Sequence, residues 1–204
     1  MQALEAAEFE TLIGLEDFSC ALGVGDFASG NVAFLSTYPG DFQELYFKEN
    51  WATKDPVIRN CANRNTEFHW ITPSAANDQV MTTAADFGLS TGMSVSSVIG
   101  GNSCIMSLAS DRRLKPSAKA HVRKELSKLH AKHLAKNAHK LSKTQIDLVT
   151  MFAHGMRAKE VADIYGISEE GIKLRKLRIQ KTMGVTNFMT VVHLCALEGV
   201  THSL

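Results

Sequence analysis

The chain is short of three things, and each shortage closes off a class of explanation. It has no apolar run approaching the roughly 20 residues of a membrane helix, so no membrane span is expected. Its four cysteines, Cys20, Cys61, Cys104 and Cys195, are scattered with no CxxC and no Cys/His ligand spacing. That usage reads as buried reduced thiols in a cytoplasmic protein, not a disulfide framework or a zinc site. Its first half is poor in cations: residues 1–110 hold 4 Lys and Arg against 13 Asp and Glu, a net −9. The acidic start (Glu5, Glu8, Glu10) also lacks the basic opening of a signal peptide. No internal repeat or low-complexity tract interrupts the sequence. The 45% hydrophobic content argues against wholesale disorder.

What the first half lacks, the second half has. Residues 111–204 carry 18 Lys and Arg against 8 Asp and Glu, a net +10 that the overall +1 conceals. Opposite signs in two halves suggest one part that faces nucleic acid and one that avoids phosphate. The basic part has a readable order. Ser142 and Gln145 fit a capping box ahead of a helix that buries Ile146, Val149 and Phe152. A short helix over 159–165 stops at Gly166, which supplies the backbone freedom of a tight turn. Ser168 caps a third helix with Ile172, Ile179 and Met183 toward its core, and a fourth runs over 187–197. This is a helix-turn-helix whose second helix is set for a DNA major groove. Lys173, Arg175, Lys176, Arg178 and Lys181 are its candidate DNA contacts, Arg175 either approaching phosphate or packing inward, with Arg157 and Lys159 as further phosphate neighbours.

The acidic part alternates strand-like and helix-like pieces. Strands are expected over 18–22, 31–38, 67–72, 93–99 and 103–109, with turns at Ser29-Gly30, Pro39-Gly40 and Gly100-Gly101-Asn102. Helices are expected over 2–13, 41–49, 55–63 and 74–87. A long one over 117–137, capped by Ser117, shows an apolar stripe of Val122, Leu126, Leu129, His133 and Leu134. The expected fold is an α+β N-terminal domain, an antiparallel sheet sandwiched by helices, over 1–137. It is followed over 138–204 by an all-α, four-helix helix-turn-helix domain.

Two sets of residues resemble a known family. Leu141-Ser142, Gly155, Glu160-Val161-Ala162, Gly166-Ile167-Ser168, Ile172-Lys173, Ile179, Met183-Gly184-Val185 and Asn187 resemble the C-terminal domain of LuxR-type regulators. Leu35-Ser36-Thr37-Tyr38-Pro39, Tyr46, Asp55-Pro56-Val57, Trp70 and Asp86-Phe87-Gly88-Leu89 through Gly92 are similar to the autoinducer-binding domain of LuxR-type quorum-sensing receptors, which bind N-acyl-homoserine lactones. The resemblance implies a ligand pocket containing Tyr38, Phe42, Tyr46, Trp51, Asp55, Trp70 and Ser107. In it Asp55 accepts from the ligand amide N–H and Tyr38 donates to the amide carbonyl. Trp51 and Trp70 wall the head group, and Ser107 reaches a 3-position oxygen. Phe87, Leu89, Met93, Val95 and Met106 belong to pocket or core. A buried carboxylate with no partner is costly, so an unpaired Asp55 would make a receptor that needs its ligand to fold well.

The bare residues also allow simpler roles. Asp55-Pro56 is an N-cap followed by proline at the first helical position, compatible with ligand binding. Tyr38, Trp51 and Trp70 serve equally as core aromatics. His130, His133 and His139 have no carboxylate companion on their Lys-rich helix, and no cofactor or metal is implied. The sequence departs from the family pattern at Phe42, where a tryptophan is usual, and at Ser96, Gln145, Val149 and Gly171.

The leading expectation is a dimeric, ligand-responsive transcription factor on inverted-repeat DNA. The second is an antiactivator that heterodimerises with a homologous regulator and has weakened specific DNA binding. No nucleophile elbow or carboxylate pair supports an enzyme.

Overall fold

A computed structural model of the chain describes residues 18–71, 78–109 and 116–202. The expected helix over 2–13, the start of the one over 74–87 and the side chain of Ser117 lie outside the described residues. The chain divides into two compact units. One runs to Val98 and resumes at Ser103–Leu129; the other joins Ile99–Asn102 to the chain from His130 onward.

The first unit is built on a 5-stranded sheet with strands β1 (Ser19–Asp26), β2 (Asn31–Ser36), β3 (Glu67–Ile71), β4 (Thr91–Ile99) and β5 (Asn102–Ala109), in the order β2-β1-β5-β4-β3. β1 pairs antiparallel with both β2 and β5, and β3 with β4. Side chains alternate between the two faces of a strand, and the sequence uses the alternation to give the faces different jobs. Cys20, Leu22 and Val24 of β1, Met93 and Val95 of β4, and Cys104, Met106 and Leu108 of β5 form one packed layer. It is closed by Val122, Leu126 and Leu129 of helix α4 (Pro116–Ala135). Glu67 of β3 accepts from Lys119 at 3.2 Å and Arg123 at 2.7 Å, an ion-pair cluster on the same side.

The other face is covered by α1 (Gly40–Lys48), a 3-10 turn at Trp51–Thr53, α2 (Pro56–Cys61) and α3 (Gln79–Asp86). Side-chain caps start two of these helices. Asp55 accepts from the Val57 N–H at 2.7 Å with Pro56 in the first turn, and Asp78 accepts from the Val80 and Met81 N–H groups. Pro39-Gly40, expected as an inter-strand turn, instead opens α1 with Pro39 at its N-cap. The α+β sandwich expected from the pattern is the fold observed.

The second unit is helical in its main body: α5 (Lys143–Ala153), α6 (Ala158–Tyr165), α7 (Glu169–Met183) and α8 (Phe188–Leu197). Ser142 and Gln145 form the expected capping box. Gly166 ends α6 in the left-handed conformation, φ 61° and ψ 34°, and the Ser168 hydroxyl accepts from the Gly171 N–H at 3.2 Å to start α7. Its core joins Leu148, Val149, Val161, Ile172, Ile179, Met183, Val191 and Leu194 with Leu134, Ala135 and Ala138. The turn Ile99–Asn102 belongs to this unit: the Thr186 N–H and hydroxyl both donate to the Gly100 carbonyl, and Asn102 Nδ2 donates to the Gly184 carbonyl. His130, fully buried, reaches Asn102 Oδ1 at 3.1 Å.

Candidate ligand pocket and nucleic-acid interface

A cavity of about 540 Å³ lies on the helix-covered face of the sheet. The alternation that packs Cys20, Leu22 and Val24 on one side turns Ala21 and Gly23 to the other. Small side chains there leave room: a Cβ at Gly23 would stand 2.9 Å from Phe27. Ile105 and Ser107 of β5 complete the floor. Phe42, Tyr46, Val57, Val80, Met81, Ala84 and Leu89 form the helical roof. Trp70 walls one end because Gly92 has no side chain; a Cβ at Gly92 would collide with the indole ring and the Leu108 carbonyl. Phe34 and Phe47, edge to face at 5.5 Å, line the cavity and are exposed as well, marking its rim.

The polar groups are few and paired with one another. Tyr46 donates its hydroxyl to Asp55 Oδ2 at 2.7 Å, while Asp55 Oδ1 holds the Val57 N–H. Asp55 is therefore enclosed but not unpaired, which corrects the expectation of an unpartnered carboxylate. The partner comes from α1, nine residues away, and lies beyond the reach of local sequence reasoning. Removal from bulk water raises the Asp55 pKa above the usual carboxylate range, opposed by the Tyr46 hydrogen bond. Tyr46 is pushed up by burial and by the neighbouring Asp55, and Tyr38 chiefly by burial. Both phenols stay neutral donors. Ser107 lines the cavity beside Tyr38 and sits 2.8 Å from Ser94 Oγ, a contact that continues below the cavity floor.

Six of the seven side chains expected at a ligand site line this cavity: Tyr38, Phe42, Tyr46, Asp55, Trp70 and Ser107. Trp51 does not line it. It is 3% exposed and stands behind the wall, against Phe42 at 6.4 Å and Tyr46 at 6.3 Å, where it fixes the two rings that do. Of the residues assigned to pocket or core, Leu89 lines the cavity and Phe87 supports Phe42 at 5.6 Å. Met93, Val95 and Met106 face the packed layer opposite. Gln43, Ala21, Gly23 and Ile105 were missed. Counting by two along β5 from Ser107 would have found Ile105. Gln43, whose Nε2 donates to the Tyr38 carbonyl at 2.7 Å, had no such signal.

The basic helix α7 separates its cations into two groups. Arg175 lies over the Tyr165 ring at 4.8 Å, and Lys176 over Phe152 and Phe188 at 4.6 and 4.5 Å. These are cation–π contacts. They hold both half-buried side chains toward the core-facing edge, and for Arg175 this is the inward packing weighed in the sequence. The cause is spacing: Lys176 follows Ile172 by four residues and precedes Ile179 by three. Lys173, Arg178 and Lys181 stay exposed, Lys173 with Glu170 at 3.4 Å. Arg157 donates its backbone N–H to Glu160 at the start of α6. His139 pairs with Glu198 at 2.8 Å. No helix among the described residues is long and apolar enough to cross a membrane.

Known families match both halves of the chain. Residues 5–138 match the autoinducer binding domain family, and residues 139–195 match the bacterial regulatory proteins, luxR family. The chain is 25% identical over 198 residues to the HTH-type quorum sensing-dependent transcriptional regulator RpaR of Rhodopseudomonas palustris, covering 89% of this chain and 82% of that protein. It is 22% identical over 220 residues to the transcriptional activator protein TraR of Rhizobium radiobacter, covering 97% and 93%. The crystal structure of Escherichia coli SdiA shares the fold, with a TM-score of 0.55 at 19% identity over 97% of this chain and 91% of that one. A second SdiA structure, in complex with octanoyl-rac-glycerol, gives the same TM-score and identity over 100% and 92%. Both matched families are regulatory, not enzymatic. With an autoinducer-binding domain followed by a luxR-family helix-turn-helix, the chain belongs to the LuxR-type quorum-sensing transcriptional regulators.

Proposed function

We propose that residues 1–137 bind an N-acyl-homoserine lactone or a similar small amphiphile, and that binding controls how residues 138–204, as a dimer, engage inverted-repeat DNA in the cytoplasm. The observation that carries this reading is the cavity: apolar along most of its wall, with one carboxylate and two phenols gathered in it. An acyl amide offers one N–H, one or two carbonyls and a chain, which is the complement of that lining. Asp55 accepts from the amide N–H, Tyr38 donates to the amide carbonyl, and Ser107 reaches the acyl chain near its head. Trp70 and Tyr46 wall the head group. Phe42 brings shape to that wall and no hydrogen-bond donor. The SdiA complex with octanoyl-rac-glycerol supports a ligand class wider than lactones. Met189 and Leu197, both exposed along the last helix, support a dimer through α8.

The test is titration of the full chain with N-octanoyl-homoserine lactone and 1-octanoylglycerol. It is read as thermal stabilisation and as a mobility shift of DNA carrying an inverted repeat. A ligand at about 100 times its Kd stabilises the folded state by about 2.7 kcal/mol. No stabilisation by any acyl amphiphile, together with no DNA complex, would falsify the proposal. A second reading, a heterodimerising antiactivator, rests on the inward-turned Arg175 and Lys176, which leave fewer cations on the outward face of α7. It predicts that the homodimer binds DNA only non-specifically, with steep salt dependence.

A further inference from the structure

The outward face of α7 is apolar at its middle. Opposite the buried Ile172, Ile179 and Met183, the stripe runs Glu170, Leu174, Leu177, Lys181, and the two leucines are each 51% exposed. Nothing in the unit's core requires them there. The helix's other long polar side chains near them are engaged elsewhere: Arg175 lies on Tyr165, Lys176 on Phe152 and Phe188, and Gln180 Nε2 donates to the Thr186 carbonyl. Leu174 and Leu177 themselves can offer a base edge only methyl groups.

We infer that Leu174 and Leu177 read thymine methyl groups in the major groove, so that the half-site under α7 is specified by thymines at the positions these side chains reach. The inference rests on the DNA-binding role of α7. The 5-methyl of thymine is the apolar group displayed on a major-groove base edge, and apolar side chains recognise it by contact. The surroundings favour a groove over a protein surface. Exposed Lys173, Arg178 and Lys181 flank the leucines and suit the phosphates on either side. Two leucines are far too little for a protein interface, which takes about 800 Å² from each partner. Gly171, one turn before Leu174, adds no side chain to the approach; a Cβ there would stand 3.2 Å from Ile167 Cδ1.

The experiment selects binding sites for the full chain from random-sequence duplexes, then replaces thymine with uracil in the selected half-site. Uracil pairs identically and lacks only the methyl. Thymines are expected in the selected half-site, and each uracil at a contacted position weakens binding roughly fourfold, the effect of one buried methyl-sized group. Uracil elsewhere in the duplex has no such effect. L174A and L177A each lose one of the two discriminations while still melting cooperatively, because both side chains are exposed. Equal binding of thymine and uracil half-sites overturns the inference, and so does thymine preference retained in both alanine variants. Binding with no sequence preference also overturns it. Failure to bind any duplex at low salt would remove the DNA-binding role itself.

Discussion

The two units bury comparable kinds of side chain in opposite ways. The helical unit closes its core around Ile172, Ile179, Met183, Val191 and Leu194, all with no exposed surface. The sheet unit packs one face in the same manner, but on the other it holds apart the layers that would otherwise meet, leaving about 540 Å³ lined by Ile105, Leu89, Val80 and Phe42. Protein interiors ordinarily pack as densely as organic crystals, so a void of that size gives up contacts that folding would have gained. The helical unit is complete as it stands. The sheet unit is closely packed on one side only, and on the other the proposed ligand would supply the missing atoms.

Mutations at matched depth should expose the difference. Ile179→Ala in the closed core is expected to cost about 2–5 kcal/mol, in the upper part of that range. Ile105→Ala, nearly as buried but facing the cavity, should fall at or below the lower end, because its side chain already lacks neighbours on one side. Urea titration of each variant followed by far-UV circular dichroism makes the measurement, and equal losses would break the comparison. Both tryptophans, Trp51 and Trp70, lie in the sheet unit, so their fluorescence reports that unit separately.

Gly92→Ala tests the cavity wall itself. Its methyl meets the Trp70 ring and a backbone oxygen, so a loss of about 1–3 kcal/mol is expected. A shifted Trp70 emission and weakened amphiphile binding should accompany it. Ser142→Ala removes the cap of α5 and should cost about 1 kcal/mol. That loss should fall on the circular dichroism transition and leave the tryptophan transition unmoved.

The last effect is a slope. Asp55 has a folded pKa raised above its ordinary value of 3.8, so between those two values the folded state binds more protons than the unfolded state. Stability then falls as pH rises through that window, and is lower by a constant amount above it. Asp55→Asn keeps an acceptor for Tyr46 and should remove this contribution. Subtracting the pH–stability curve of the variant from that of the parent should leave a difference that declines with rising pH. A flat difference would mean that the carboxylate is not held at a cost.

Much of the fold was legible because it is written in local chemistry. The capping box at Ser142 and Gln145, the stop at Gly166, the start at Ser168 and the Asp55-Pro56 cap each depend on residues a few positions apart. All are found as read. Strand alternation likewise separates Cys20, Leu22 and Val24 from Ala21 and Gly23. Legibility ended where partners come from distant elements. Nothing near Asp55 in sequence announces Tyr46 as its donor. The retreat of Trp51 behind Phe42 depends on how α1 meets the 3-10 turn. For Lys176, the spacing from Ile172 and Ile179 already places it beside the core, and its two ring partners, Phe152 and Phe188, come from other helices. The reach of the second unit's core to Leu134 and Ala138, and its hold on the turn Ile99–Asn102, likewise follow from packing across long separations.

Hydrogen exchange of the full chain, with and without saturating N-octanoyl-homoserine lactone or 1-octanoylglycerol, tests the central claim most directly. A ligand that fills the void should slow exchange at the amides of α1, α2 and α3, the elements that roof it. The effect should be lost in Gly92→Ala. Binding without added protection in those helices, or protection undiminished in Gly92→Ala, would contradict the claim that this cavity is the receptor site.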